Sequence, residues 1–444
     1  MELCKPSSLQ KNTTSELRCE RRYVQVFAFF CFNERWIKYI NKKETKHLYK
    51  FDGWLKRKEI NWNNLPNNID LKTTYKYFQQ KFSTITPEQS TTFKIPPSTI
   101  KEGPTFTEIT TNDVIEALKR MKSKSCGPDH ISLDTIRLID PKVITECFNN
   151  CYSKGDIPNE WKKGYIKIIP KKDKVETHKY FRPITIMNIM YRLLFNIIQK
   201  KISRWAKTNI NIRQQAFTPG RQPNNHCVLI QALKKIYKKK GMIITNIDIA
   251  GAYDAVEFRI IEIALDHAKF PADLKNFILN SYKNNEISIE WNDILSEPFK
   301  KTRGIPQGCP LAPLIFNIIT QMIIDKAIFV WKIPITPKRM DPNDIGMLNF
   351  ADDMTVLNTT EKKHNHRLKQ ITKWLRQIHL EVNPSKCISS TIPSNLDVNV
   401  VINGQQVPKS KNQRILKHES NYPLKVSVSI YPSCKRKFNT KSIN

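Results

Sequence analysis

The ten cysteines of this 444-residue chain form no CxxC pair and lie scattered. Neither a zinc module nor a disulfide framework is indicated, and a reducing compartment fits best. No uninterrupted apolar run reaches the ~18 residues of a spanning helix. Val24 to Phe32 is the best run near the start. It is too short, too far from the N-terminus and lacks a small-residue cleavage site, so it does not read as a signal peptide. The expectation is an intracellular protein, in the nucleus or the cytoplasm, with no membrane partner. No internal repeat is visible. Acid is scarce: 40 Asp and Glu against 73 Lys and Arg leave a net charge of +33. That surplus repels itself unless a polyanion is near, and nucleic acid is the usual polyanion for a folded chain this basic. Biased codon usage, with Lys, Asn and Ile recurring, is the competing source of lysine. With 40% hydrophobic and 10% aromatic residues the chain is no disordered tail, and its length allows two or three domains.

Residues 1–100 read as a poorly defined basic leader and linker. Within them Asp70–Phe82 has helical character, and Ser83–Lys101, rich in Thr, Ser and Pro, reads as the linker. Regular structure begins after Thr107. Thr110 to Asp113 offer helix caps, with Val114, Leu118 and Met121 on one face. Ile166–Pro170 reads as a strand and Asn188–Lys207 as an amphipathic helix. Met242–Asp248 is an apolar run ending in an acid, which suits a buried strand. Arg259–Ala268 is helical again. Leu311–Val330 suits a core helix, since Asn317, Gln321, Asp325 and Lys326 interrupt it. Met347–Leu357 reads as strand, acidic turn, strand, and Leu368 to Ile378 give a last helix. The mixture indicates an α+β architecture.

Three acids stand out. Asp248 ends a buried strand, and Asp352 and Asp353 sit at a hairpin tip, all flanked by apolar residues. Carboxylates against a core need a partner. Mg²⁺, which takes a few carboxylates plus substrate phosphates, would be one. A pair of such ions about 3.5–4 Å apart serves phosphoryl transfer. A plain solvated Asp-Asp turn is the competing reading. Between the acids, Arg303–Leu314 alternates glycines and prolines before an apolar helix. Glycine allows close backbone approach to a ligand; an ordinary helix-entry turn is the alternative.

These segments resemble motifs of the reverse transcriptases of non-LTR (LINE-type) retrotransposons. Asp248 followed by Tyr253 resembles the first catalytic motif. Arg303–Leu314 is close to RGxxQGCPLSP, and Phe350-Ala351-Asp352-Asp353 looks like the Y/F-A-D-D hairpin. Asn383 to Cys387 resembles NxxKC, and Ser125 to Asp129 resembles APGPDG. Trp161, Ile169 to Lys172 and Phe181 to Ile184 resemble the fingers motifs, and Gln215 to Phe217 with Pro219 to Arg221 also matches. The elements keep the family order over about residues 107–390. The resemblance implies a right-hand polymerase: a finger extension over 101–160, fingers and palm over 161–404, and a degenerate primer-grip region and tail over 405–444. It implies two Mg²⁺ ions, or Mn²⁺, at Asp248, Asp352 and Asp353, with the Ile249 carbonyl as a further ligand. Lys171 and Arg182 would hold a dNTP triphosphate, with Lys172 the alternative to Lys171. Lys386 would neutralise or protonate pyrophosphate. Gln307 and Gly308 would contact nucleotide and template, and Tyr253 would be the steric gate or simply a core aromatic. The implied partners are an RNA template, a DNA primer or target and dNTP.

The departures are specific. Cys126 and His130 stand where Ala and Gly are usual, and Ala312 where Ser is usual. Cys126, Cys309 and Cys387 read as small packing residues, His130 and His178 as surface residues. Arg414–His418 lacks a recognisable primer-grip turn, and 26 residues follow it, so the thumb is expected to be missing or truncated. Lys234–Lys240 is a candidate template surface. The implied activity is RNA-directed DNA synthesis. A catalytically silent nucleic-acid-binding remnant is the first rival, and a two-metal nuclease the second. Arg182, Gln307 and Tyr253 argue against the nuclease.

Overall fold

The computed structural model describes residues 65–66, 68–83, 93–122, 125–171, 175–410 and the backbone of 414–415 and 418–419. Most of the expected leader, the alternative Lys172 and a tail strand suggested by Val426, Val428 and Ile430 lie outside the described residues. The chain is α+β, with two sheets framing the site. Strands β1 (Lys163–Pro170) and β2 (Phe181–Met187) pair antiparallel. The chain then crosses to β3 (Met242–Ile247) of the second sheet. It returns in β4 (Glu286–Trp291), parallel to β1, with β5 (Ile294–Leu295) and β6 (Phe299–Lys300) short additions beside β4. Strands β7 (Met347–Phe350), β8 (Asp353–Asn358) and β9 (Ile388–Ile392) complete the second sheet in the order β7-β8-β3-β9. Burial alternates along β1, as in a sheet with one packed face. Central β3 is buried at nearly every residue, which its apolar run requires.

Helices cover both sheets. They are α1 (Leu71–Ser83), α2 (Thr111–Arg120), α3 (Pro141–Ser153), α4 (Ile189–Asn209), α5 (Pro223–Tyr237), α6 (Phe258–His267), α7 (Ala272–Tyr282), α8 (Ala312–Trp331) and α9 (Glu361–Gln377). Thr110 and Asp113 form a capping box at the start of α2. Helix α8 is long and apolar enough to cross a membrane, yet 72% of its most apolar window is buried inside the protein. Its polar residues bond inside the protein: Asn317 Nδ2 donates to the Ala216 carbonyl at 2.6 Å, and Gln321 Nε2 to Asp325 Oδ1 at 2.6 Å.

Two expectations are corrected here. The part of the linker within the described residues, 93–101, is packed. Phe93 and Ile100 are buried, and Thr99 donates its N–H and hydroxyl to the two oxygens of Asp325 at 3.1 and 2.6 Å. A Thr, Ser and Pro composition argues against regular structure, but an extended segment still packs when a buried carboxylate accepts from its backbone. The second correction concerns His178, expected at the surface, which is half-buried and stacks on Tyr77 at 5.3 Å. At the chain end, Arg414–Ile415 and His418–Glu419 pair antiparallel.

Asp325 also takes a 2.7 Å contact from His267 Nε2, both side chains being essentially inaccessible. Helices α6 and α8 and the 93–101 segment therefore meet at one carboxylate. Asp325→Ala would strand His267, Thr99 and Gln321 together. The expected loss of unfolding free energy is about 3–5 kcal/mol, read from the urea midpoint. A loss below about 1 kcal/mol would show that the carboxylate contributes no more than a surface pair.

Candidate active site

Register alone gathers the acids. Ile247 pairs with Met354, so the next step along β3 and β8 sets Asp248 beside Asp353. On the other side Asn246 pairs with Ile388, so the same extension brings Asp248 level with Lys386. Asp352 occupies the turn between β7 and β8. The Asp248 backbone is pinned at both groups. Its N–H donates to Cys387 Sγ at 3.4 Å, and its carbonyl accepts from the Asn383 N–H at 2.9 Å. Buried Ile249 continues by bridging Val382. Cys387 is thus more than filler, since it supports the backbone of the first acid.

The acids share one end of the sheet, but they do not form the tight three-carboxylate cluster expected from the motifs. Among the described residues, no three His, Cys, Asp or Glu side chains stand close enough to hold a metal ion. The ladder sets Asp248 and Asp353 side by side, while Asp352 belongs to the turn outside it. This donor set fits Mg²⁺ that arrives with a substrate phosphate, because that ion is ordinarily held by one or two carboxylates plus phosphate oxygens.

The second half of the site hangs on Asp254, six residues after Asp248 and 4% exposed. Lys81 of α1 reaches its Oδ2 at 2.6 Å, and Gln307 Nε2 donates to its Oδ1 at 2.8 Å. The loop carrying Gln307 is clamped on both sides. The Ile305 N–H donates to the Tyr253 carbonyl at 2.8 Å, and the Thr185 N–H of β2 donates to the Gln307 carbonyl at 2.7 Å. Gly308 passes β2 so closely that a Cβ would stand 2.2 Å from the Thr185 carbonyl oxygen. Its φ of +138° is also a glycine conformation. Thr302 and Arg303 donate their N–H groups to the Phe82 carbonyl, which ties the loop to the end of α1.

Cations from both sheets gather around Lys171, which itself senses this carboxylate. Lys171 follows β1 and Arg182 lies on β2, both at the same end of the first sheet and both exposed. Packed atoms around the Lys171 head group hold its pKa below the usual lysine range, with Lys81, Lys386 and Arg182 adding repulsion and Asp254 opposing it. Lys386, in the turn before β9, is exposed as well. The Tyr253 ring stacks on Phe316 at 4.6 Å. Burial, and then the Asp352 carboxylate, raise its phenol well above the usual range, so the hydroxyl stays protonated. Electrostatic contact thus links Lys171 with Arg182, Lys386 and Asp254, and Tyr253 with Asp352, while Gln307 bonds to Asp254. Sequence reading missed Lys81, Asp254 and Lys301. Asp254 directly follows Tyr253 of the first motif, whereas no local signal marks Lys81, 173 residues away from it.

Lys301 carries a testable charge. Burial pushes its amine down to about 8, although Asp254 opposes the fall. In the unfolded chain the amine keeps its ordinary value of 10.5. Between these values the unfolded chain binds the extra proton, so this group's contribution to stability rises with pH across the window and is a full cost below it. Lys301→Met is expected to be more stable than the parent at pH 7, with the advantage shrinking as the pH approaches 10.5. Urea midpoints of both proteins across that range decide it; an advantage independent of pH would sink the assignment.

The sequence model of the family described as "Reverse transcriptase (RNA-dependent DNA polymerase)" matches residues 169–417. The "Retrovirus-related Pol polyprotein from type-1 retrotransposable element R2" of Nasonia vitripennis is 28% identical over 308 residues, covering 68% of this chain and 29% of that protein. The Pol polyprotein from the type-2 retrotransposable element R2DM of Drosophila melanogaster is 25% identical over 342 residues, covering 74% of this chain and 29% of its own. The solved structure of telomerase from Candida tropicalis, in complex with a TWJ fragment of telomeric RNA, aligns with a TM-score of 0.39 and 14% identity over 61% of this chain and 47% of that one. The chain spans about 29% of the length of the two R2 relatives. The family match takes in both acidic motifs, the glycine-proline loop and more than half of the residues: the chain belongs to the reverse transcriptase family, on its non-LTR retrotransposon branch.

Proposed function

We propose that this chain is the RNA-directed DNA polymerase of a non-LTR retrotransposon, joining a dNTP to a DNA 3′-OH on an RNA template with release of pyrophosphate. What supports this reading is the strand register that sets Asp248 beside Asp353, with Asp352 in the adjoining turn, and Lys171 and Arg182 at one end of the first sheet, whose strand β2 is bonded to the loop carrying Gln307. In this reading the first sheet belongs to the fingers and the second to the palm, within residues 161–404. Asp248 and Asp352, with the Ile249 carbonyl, would hold two Mg²⁺ ions, or Mn²⁺ in their place, and Asp353 would shape that site. The ions, when bound, supply Lewis-acid activation of the 3′-OH and neutralise the leaving group.

The chain's own residues bind and orient. Lys171 and Arg182 take the triphosphate, where the guanidinium suits bidentate contact. Lys386, level with Asp248, would neutralise departing pyrophosphate. Gln307, fixed by Asp254, presents its backbone edge to the nucleotide and template. Gly308 lets the loop pass β2, because a Cβ there would meet the Thr185 carbonyl oxygen. The protonated Tyr253, packed on Phe316, walls the side where a ribose 2′-OH would lie. Placing the reacting groups this way converts binding into rate.

Two experiments test the reading. Asp352→Asn is expected to abolish Mg²⁺-dependent extension of a DNA primer on an RNA template while RNA affinity stays within about twofold, since the removed charge faces the metal site rather than the template. Retained extension would refute the assignment. Affinity for RNA should also fall steeply with salt, because each neutralised phosphate releases counterions. Lys238, Lys239 and Lys240 are exposed at the end of α5. Replacing all three with Gln should lower the slope of log affinity against log salt by about 1 for each phosphate that these lysines no longer neutralise. An unchanged slope would remove this face from the template path.

A further inference from the structure

The turn that carries Asp352 has a conformational problem. Phe350 pairs with Asp353, so Ala351 and Asp352 are the two central residues of a tight hairpin. Ala351 takes φ = +54°. The first central position of such a turn favours glycine, and a residue with a Cβ is strained there. Ala351 is also buried, so its N–H needs an acceptor within the protein. The acceptor is the side-chain oxygen of Gln214, 3.0 Å away.

Gln214 is built to hold that position. It is completely buried. The same oxygen accepts the Ala216 N–H at 3.0 Å, and its amide donates to the Thr320 hydroxyl of α8 at 3.0 Å. The flanking backbone locks the register: the Asn349 N–H donates to the Arg213 carbonyl at 2.8 Å, and the Gln215 N–H to the Asn349 carbonyl at 3.0 Å. The segment before α5 thus lies as a short parallel bridge along β7. Arg213, itself inaccessible, anchors that segment by donating to the carbonyls of Pro334, Ile335, Asp344 and Ile345.

We propose that Gln214 is a positioning residue for the catalytic turn: its side-chain oxygen holds Ala351 in the left-handed conformation that delivers Asp352 to the end of β3. The inference rests on the polymerase reading for its rate readout, but the clamp itself is a statement about backbone conformation. A buried glutamine that merely filled space would stabilise the fold without any link to the φ of Ala351. A clamp couples specifically to that angle, and glycine at 351 removes the need for it.

The test is a double-mutant cycle on the full chain. Gln214→Met keeps the volume and removes the acceptor. In the parent it is expected to slow single-turnover dNTP incorporation by about 10²-fold, the scale of a small displacement of a reacting group, with the KM for dNTP little changed. In an Ala351→Gly background the same change is expected to cost less than about tenfold, a coupling that independent sites do not show. Hydrogen exchange supplies a readout free of activity. Gln214→Met should raise amide exchange in the peptide spanning Asn349 to Met354 while leaving β1 and β2 unchanged. Equal rate losses in both backgrounds, or unaltered exchange at Asn349 to Met354, would overturn the clamp. A parent chain that fails to extend any primer would refute the polymerase reading, and the exchange arm would still decide the clamp. Should Gln214→Met fail to fold, Thr320→Val, which removes only the hydroxyl that orients the amide, carries the same cycle and exchange measurement, with a smaller rate loss of the same background dependence expected.

Discussion

The site depends on one buried carboxylate. Asp254 is almost inaccessible, and a bare carboxylate in that position would cost several kcal/mol. It is tolerated because Lys81 and Gln307 close on its two oxygens at 2.6 and 2.8 Å, with the Lys301 amine nearby. Each partner comes from a different part of the chain: α1, the glycine-proline loop and the end of β6. Meeting at one acceptor fixes where the loop lies, and the loop in turn bonds to Thr185 of β2. The relative placement of the two sheets at the cleft is therefore an electrostatic consequence as much as a packing one. α1 then serves the site directly, although it lies upstream of the residues matched by the family.

The charges around the cleft are sorted by sheet. Asp248, Asp352 and Asp353 sit at the end of the second sheet, and Lys171 and Arg182 at the end of the first, with Lys386 bordering the acids. Packing around the Lys171 head group, and then the neighbouring cations Lys81, Lys386 and Arg182, hold its pKa below the usual lysine range. In the proposed reading, a triphosphate with its divalent cations would be met by the cations of the first sheet and the acids of the second. Such a site would be organised before its ligand arrives, the condition under which fixed charges assist a reaction most. The +33 surplus acts at longer range, drawing polyanions toward the same protein.

Much of this was legible from the sequence, because the governing signals are local. The apolar run ending in Asp248 became β3, and Met347–Leu357 became a hairpin with the acids at its tip. The alternation of strand and acid suffices to place Asp248 and Asp353 side by side once pairing is known. What stayed hidden was non-local or obscured by composition. β2 contains Pro183, which argues against a strand, yet β2 stands at the edge of its sheet, where a missing donor is tolerated. α3 buries only Ile144, Thr145, Phe148 and Cys151 among polar neighbours, too thin a stripe to read. The packed segment at Phe93 to Lys101 looked like a linker because its acceptor, Asp325, lies 226 residues from Thr99.

The chain also shows two ways of making a backbone conform. Where another backbone must pass, it uses glycine: a Cβ at Gly304 would stand 2.8 Å from the Asp254 carbonyl oxygen, and one at Gly308 still closer to Thr185. At other positions it accepts strain in residues that keep their side chains. His130, Phe217 and Ala351 all take φ near +50°. Glycine at these positions would relax the backbone, but it would also free the unfolded chain and loosen the turn. Ala351 shows what the alternative requires. Its conformation persists because Gln214 satisfies its N–H and the bridge to β7 fixes the residues around it. A strained turn held from outside is stiffer than a relaxed one, and the residue that turn presents is Asp352. Rigidity at the edge that carries Asp352 thus comes from hydrogen bonds made by Arg213 to Gln215, not from conformational freedom in the turn itself.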